Sequence, residues 1–526
     1  MEDEQSDECT PLVRPRIKNR PSPGLKLSKR ARICYGLGGI PYQLTNTVLG
    51  FYINVFLLET AKVPPFYTSA IVLIGRVWDA ITDPIIGFLV FRTKSTHRFG
   101  KLKPWMVFAT LPAIASYICF FYTPDTTKSI YKFAWYLVCY CLFQTFLTFY
   151  QMPFATLTLC LTDNQTERDR ATAYRMGSEV LGNLLGQLVM GLSLTLYQLK
   201  LGRGPILCRD INDTSTLPPE QAVIKSRGYL VGAGVLCCLF LICALCVIIG
   251  TKEVTSPKRQ NKYKEPFWRA VVKVITFGPW LRHIAFLIPF VLAIQAMQGN
   301  FALYSLHTLG MRSYQPAIIV ILISAFLMMP VWRKCVKRFG KKITLFLGML
   351  PAVPLIVSWG LIPYGNVWVQ YILALLMGSV IAVVQLVPWS MVPDVIDDFL
   401  LKKKCGYETI FYTFYIMIVK LVSGLCIGIT TFVLGVVEFK PGVCQVTDEV
   451  RFTLRLLITC IPGCCIVIGL VFLYLYPITE EVRKQNQTIL EIWRDAGDDK
   501  RRQTIKRCMD QRFRSKSIRT PTMTFR

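Results

Sequence analysis

Arg98-Phe99-Gly100-Lys101 and, 240 residues further on, Arg338-Phe339-Gly340-Lys341 are two copies of one tetrad, and their places in the chain decide its fold. Each copy follows an apolar run, the second and the eighth of about twelve that start near Ile33, Phe66, Trp105, Phe133, Met176, Tyr229, Ile284, Ala317, Ile343, Val367, Thr409 and Phe452, each about the twenty residues that cross a bilayer as helix. Recurrence at matching places in both halves favours duplication over chance. The fold expected is an all-α polytopic membrane protein, twelve transmembrane helices in two six-helix halves, the plan of many secondary transporters. The divisions expected are a tail over 1–32, a half over 33–250, a linker over 251–280, a second half over 281–477 and a basic tail over 478–526.

Composition agrees. Of 526 residues 53% are hydrophobic and 17% charged, with a mean hydropathy of +0.42, whereas a soluble chain carries about a quarter charged residues. The net charge of +28 does not point to nucleic acid, because the excess lies between apolar runs and in both tails. Counting Lys and Arg in alternate connections gives roughly 24 on one side against roughly 11 on the other, so the basic side, with both tails, is expected in the cytoplasm. Residues 1–32 are charged and lack the apolar core of a secretory signal. Nearly all of the 19 cysteines fall within spans or on the basic side; Cys208 and Cys444, in outer loops, favour a disulfide over free thiols. Asn212-Asp213-Thr214 is a glycosylation acceptor in the same outer loop. In the linker, Phe267, Trp268, Val271, Val272 and Ile275 recur at helical spacing among lysines and arginines, which suits a helix lying on the inner leaflet.

Charge inside a span costs at least about 2.5 kcal/mol, so each such residue is a functional candidate. The second span reads Gly75-Arg76-Val77-Trp78-Asp79-Ala80-Ile81-Thr82-Asp83-Pro84. Asp79 and Asp83 share a helix face, with Arg76 nearly one turn earlier on the same side. Two carboxylates in low dielectric need a cation between them or a shared proton. Oxygen ligands from Asp79 and Asp83, helped by Thr82, favour sodium as the metal ion; a proton is the alternative. Lys420, deep in the eleventh span, needs an anion: the carboxylates or an anionic substrate. A permanent bridge between the halves is one reading; a bridge that opens when ion and substrate arrive is preferred, since a fixed buried pair adds little stability. Gln298, and the aromatics Tyr42, Phe51, Tyr52, Trp78 and Trp389, are candidates to contact substrate or line its cavity. Arg175 and Glu179, four apart, are expected to neutralise one another. His97, His283 and His307 are scattered, and neither a phosphate loop nor a nucleophile elbow is present, so no enzyme and no organic cofactor is expected.

The stretch from Arg76 to Gly87, the loop Thr166-Glu167-Arg168-Asp169-Arg170-Ala171-Thr172-Ala173-Tyr174-Arg175-Met176, the run Pro388-Trp389-Ser390-Met391-Val392-Pro393-Asp394-Val395-Ile396-Asp397-Asp398-Phe399, and Lys420 closely resemble the sodium-dependent lysophosphatidylcholine symporters, of the melibiose-permease branch of the major facilitator superfamily. The resemblance runs from about Ile33 to Trp493. It implies a sodium-coupled importer of long-chain lysophospholipids, with Asp79 and Asp83 as sodium ligands, Arg76 and Lys420 meeting ion or phosphate headgroup, and Cys208 bonded to Cys444. Where that family usually carries a glutamate this chain has Gln298, which implies a weaker preference for choline. A sister branch that exports sphingosine-1-phosphate lacks the first aspartate, which this chain keeps as Asp79. The other readings are a sugar or small-solute cation symporter of the same fold, and a non-transporting receptor. The expected setting is the plasma membrane, with the endoplasmic reticulum second, as a monomer.

Overall fold

The structure, a computed structural model, describes residues 27–92, 100, 102–124, 128–161, 165–200, 219–253, 267–311, 314–363, 365–403, 407–439 and 446–495. The first half holds α1 (Lys29–Leu37), α2 (Ile40–Val55), α3 (Pro65–Arg92), α4 (Lys103–Phe121), α5 (Ser129–Cys160), α6 (Gln165–Lys200) and α7 (Pro219–Gly250). A short α8 (Phe267–Ile275) leads to the second half: α9 (Gly278–Leu303), α10 (Gln315–Phe339), α11 (Lys341–Met349), α12 (Ala352–Gly360), α13 (Val367–Lys403), α14 (Glu408–Val436), α15 (Asp448–Ile458) and α16 (Cys460–Tyr474), followed by α17 (Glu480–Asp495).

Ten helical runs among the described residues are long and apolar enough to cross a membrane. The expectation was twelve, and the difference has a physical cause. The helices at the places of the first and second expected spans are not among the ten. The first is divided, α1 from α2 at Gly38-Gly39, with a wide turn following at Phe56–Thr60. The second, α3, carries Arg76, Asp79 and Asp83 within eight residues. The chain is a multi-pass membrane protein, and the full count of twelve is an inference from α1–α2 and α3 acting as spans.

Duplication is visible in the backbone. Gly100 and Gly340 have φ of +80° and +84°. Each lies against a glutamate just past the last span of its half, Glu253 after α7 and Glu480 after α16. Glu253 accepts from the Leu102 and Lys103 amides at 3.0 Å. In the second half the tetrad's lysine also anchors the bundle: Lys341 Nζ donates to Asp394 at 2.7 Å and to the Ser390 carbonyl at 2.6 Å. Beside it Lys402 Nζ and Asn486 Nδ2 donate to Asp398, at 2.6 and 3.3 Å, which ties α17 to α13.

The halves meet along three helix pairs, α2–α9, α3–α14 and α6–α10. Exchanging the halves maps α2 onto α9, α3 onto α10 and α14 onto α6, so the interface has two-fold symmetry in its helix pairs. We call the end of the bundle with Arg92 and Lys341 the basic end and the one with Pro65 and Thr308 the opposite end. In α8, Ala270, Val271 and Val274 are buried while Val272 and Ile275 remain exposed.

Gly340 has φ 84° and ψ 167°, a region costing a side chain about 1–3 kcal/mol. Gly340→Ala is therefore expected to lower the melting temperature in detergent, while Gly177→Ala, in open space on α6, leaves it unchanged or raises it. Equal effects of the two substitutions would contradict the strain argument.

Candidate functional site

A seam of small residues brings α14 against α3. At Gly424 an added Cβ would lie 2.1 Å from Arg76 Cβ, at Gly428 3.2 Å from Leu73 Cβ and at Gly435 3.3 Å from Pro65 Cβ. Ser69 Oγ donates to the Gly428 carbonyl at 2.8 Å. Small-residue faces of this kind let membrane helices approach closely, where van der Waals packing and hydrogen bonds hold them together.

Toward the basic end the seam stops at charge. Lys420 Nζ donates to Asp79 Oδ1 at 3.1 Å and to Asp83 Oδ2 at 2.7 Å. Thr148 of α5 donates to the same carboxylates, at 3.3 Å to Asp79 and 2.9 Å to Asp83. Asp79 and Asp83 are 2% and 3% exposed, so the ammonium offsets one of their two charges, with Arg76 within electrostatic reach of Asp79. Arg76 is buried too, and among the described residues its Nε has no hydrogen-bond partner. Tyr42 of α2 lies within electrostatic reach of Arg76, Asp79, Asp83 and Lys420.

The structure thus gathers Arg76, Asp79, Asp83, Lys420 and Tyr42. Thr82 is adjacent in the helix, but its hydroxyl donates to the Asp79 carbonyl at 3.1 Å rather than to a carboxylate. The hydroxyl between the carboxylates belongs to Thr148, which sequence reasoning missed; its signal is the polar spacing Gln144, Thr145, Thr148 in an otherwise apolar and aromatic helix. Gln298 and Phe51 lie elsewhere, in a narrow cleft lined also by Met297, Phe301, Trp359 and Met377. Tyr52 is outside that cleft and packs 6.2 Å from Tyr229 and 6.1 Å from Tyr314. Trp78 Nε1 donates to Thr145 at 2.8 Å. Trp389 packs on Tyr412 and Tyr415 near Lys420's helix. Arg175 and Glu179 form their expected pair at 2.6 Å. His283 is enclosed by Trp280, Phe286, Tyr415 and Tyr476. Cys208, Cys444 and Asn212 lie outside the described residues.

Two helical halves around a buried cation–carboxylate centre define a transporter of the major facilitator type. A family model described as MFS/sugar transport protein matches residues 34–480, and the chain belongs to that family. The chain is 37% identical over 492 residues to the sodium-dependent lysophosphatidylcholine symporter 1 of Xenopus tropicalis, spanning 90% of this chain and 92% of the relative. It is 34% identical over 490 residues to the sphingosine-1-phosphate transporter MFSD2B of the same organism, spanning 91% and 94%. Its fold is similar to that of a crystal structure of the nucleoside transporter NupG, with a TM-score of 0.57 at 10% identity, covering 86% of this chain and 100% of that one.

Removing one partner of a buried ion pair costs about 3–5 kcal/mol, because it strands the remaining charge. Lys420→Ala is accordingly expected to lower the melting temperature of the purified chain, with Asp79→Asn added in the same background recovering part of the loss. If Lys420→Ala melts like the parent, Lys420 is not what neutralises the carboxylates.

Proposed function

We propose that the chain is a sodium-coupled symporter that imports lysophospholipids, lysophosphatidylcholine with long acyl chains among them, by alternating access. The observation that carries this reading is the position of Lys420: one ammonium occupies the oxygens of Asp79 and Asp83 from across the interface between the halves. Sodium entering those oxygens displaces Lys420, and the freed ammonium, with Arg76, then meets the phosphate of the headgroup through charge-assisted hydrogen bonds. When Lys420 returns, it expels the ion and releases the phosphate. Ion and lipid in this way each strengthen the binding of the other, as linkage requires. Asp79, Asp83 and Thr148 form the sodium site in this reading, and Tyr42 closes it.

The mostly apolar side chains around Phe51 and Gln298 suit contact with an acyl chain once the bundle opens, whereas a sugar needs hydrogen-bonding groups on every side. Gln298, uncharged, orients a headgroup without selecting a cationic one. Retention of Asp79 favours import over the export attributed to the sphingosine-1-phosphate branch. The same reading places the chain as a monomer in the plasma membrane, both tails and the basic end in the cytoplasm, with Cys208 bonded to Cys444 and a glycan on Asn212 outside.

Uptake of labelled lysophosphatidylcholine is measured in cells expressing the chain, in sodium and in sodium-free buffer, with Asp83→Asn alongside and with unlabelled glycosides as competitors. Sodium is expected to raise uptake about five-fold or more, and Asp83→Asn to abolish that increment. Equal uptake in all conditions removes the coupling site; competition by a glycoside removes the lipid.

A further inference from the structure

Two turns of this structure are copies of one another, and they touch. Phe56–Thr60 continues α2 and Tyr304–Thr308 continues α9. After the first, the Ala61 amide donates to the Phe56 carbonyl at 2.9 Å and the Val63 amide to Leu57 at 2.9 Å. After the second, Leu309 donates to Tyr304 at 3.2 Å and Met311 to Ser305 at 3.0 Å. Lys62 and Gly310, with φ of 53° and 66°, occupy the same place beyond each turn. A single offset of 248 residues, from Phe56 to Tyr304, relates all of these pairs. Widened turns of this kind are frequent at functional positions.

The fourth residue of each turn is ionisable, Glu59 in one and His307 in the other. They meet: His307 Nε2 lies 2.9 Å from Glu59 Oε1, with side chains 6% and 2% exposed. Because the two positions are equivalent in the duplicated halves, the bond lies on the pseudo-two-fold axis, at the opposite end from Arg92 and Lys341. Lys62 and, from α7, Lys225 lie within electrostatic reach of Glu59, as do Tyr229 and Tyr314. The Phe439 ring packs 5.5 Å from His307, and Arg455 of α15 faces Tyr304 of the same turn.

Among the described residues, other bonds that join the halves at this end are between neutral groups. Asn54 donates to the Gly299 carbonyl at 3.2 Å and accepts from Thr431 at 3.3 Å, and the Tyr229 and Tyr314 hydroxyls lie 3.3 Å apart. Each such bond contributes about 1 kcal/mol and tolerates gradual loosening. A buried carboxylate does not, since once its hydrogen-bond partner leaves it needs water in its place. We propose that Glu59 and His307 are the latch of this end of the bundle: joined while the end is shut, parted and hydrated when it opens, and so a determinant of the balance between the two states. The proposal rests on alternating access and is independent of which ion or lipid is carried.

The test reads accessibility. Ile427, 1% exposed and packed on Gly299 beside Asn54, is the site of a buried reporter, Ile427→Cys, in the purified full-length chain. Its rate of reaction with a hydrophilic maleimide is measured in detergent without sodium or lipid, the chain lacking the reporter giving the background. Glu59→Ala and His307→Ala are each expected to speed labelling about five-fold or more, and the double alanine variant to label no faster than either. The exchanged pair, Glu59→His with His307→Glu, is expected to return the rate to that of the parent. Unchanged rates in the single variants, additive rates in the double, or an exchanged pair as fast as the singles would each overturn the latch. Should the single variants fail to fold, an exchanged pair that folds supports it, and one that also fails counts against it. Loss of sodium dependence or of lipid uptake in the transport assay leaves this result untouched, so the two readings fail separately.

Discussion

The structure turns on one contact, the Lys420 ammonium held by Asp79 and Asp83 where α14 lies against α3. Its distances require the backbones of the two helices to approach closely, and the glycines at 424 and 428 allow this; with any side chain at Gly424 the stem of Arg76 has no room. The small residues and the charges are therefore one device. The seam sets where the halves touch, and its terminating charges set what can change there. A fixed buried ion pair would be weak glue, since desolvation offsets most of its attraction. It becomes useful when another cation competes for the same oxygens.

The duplicated plan is legible in the sequence because it is written in backbone requirements. A glycine at φ near +80° is hard to replace, so Gly100 and Gly340 keep their tetrads recognisable after the surrounding sequence has diverged. The apolar runs were legible for the same kind of reason: hydrocarbon leaves few alternatives to an apolar helix. The count by composition falls short at α3, where three ionisable side chains interrupt the run, and that is the helix on which the site is built.

Within the site, the residues that could be read were those whose chemistry is anomalous in a membrane. Asp79, Asp83, Arg76 and Lys420 stand out because charge in hydrocarbon demands a reason. Thr148 does not stand out, because a threonine hydroxyl is commonly satisfied by its own helix, as Thr82 is here through the Asp79 carbonyl. Only the packing of α5 on α3 distinguishes the two. His307 was discounted for a related reason: one histidine among apolar residues says nothing until its partner is known, and Glu59 lies 248 residues away.

The two cross-half side-chain contacts divide the labour by depth. Glu59 and His307 lie at one end, close to where α3 begins; Asp79, Asp83 and Lys420 lie further along α3 toward the basic end. In the proposed latch, opening at the first end separates Glu59 from His307 and reaches Lys420 through a rigid tilt of α14 along the seam. A helix packed through glycines can tilt without dragging side chains past one another, because the surface it presents is smooth. In the proposed exchange the seam links the two pairs mechanically: parting one end tilts α14, loosens Lys420 from the carboxylates, and lets a cation from the opened side displace it.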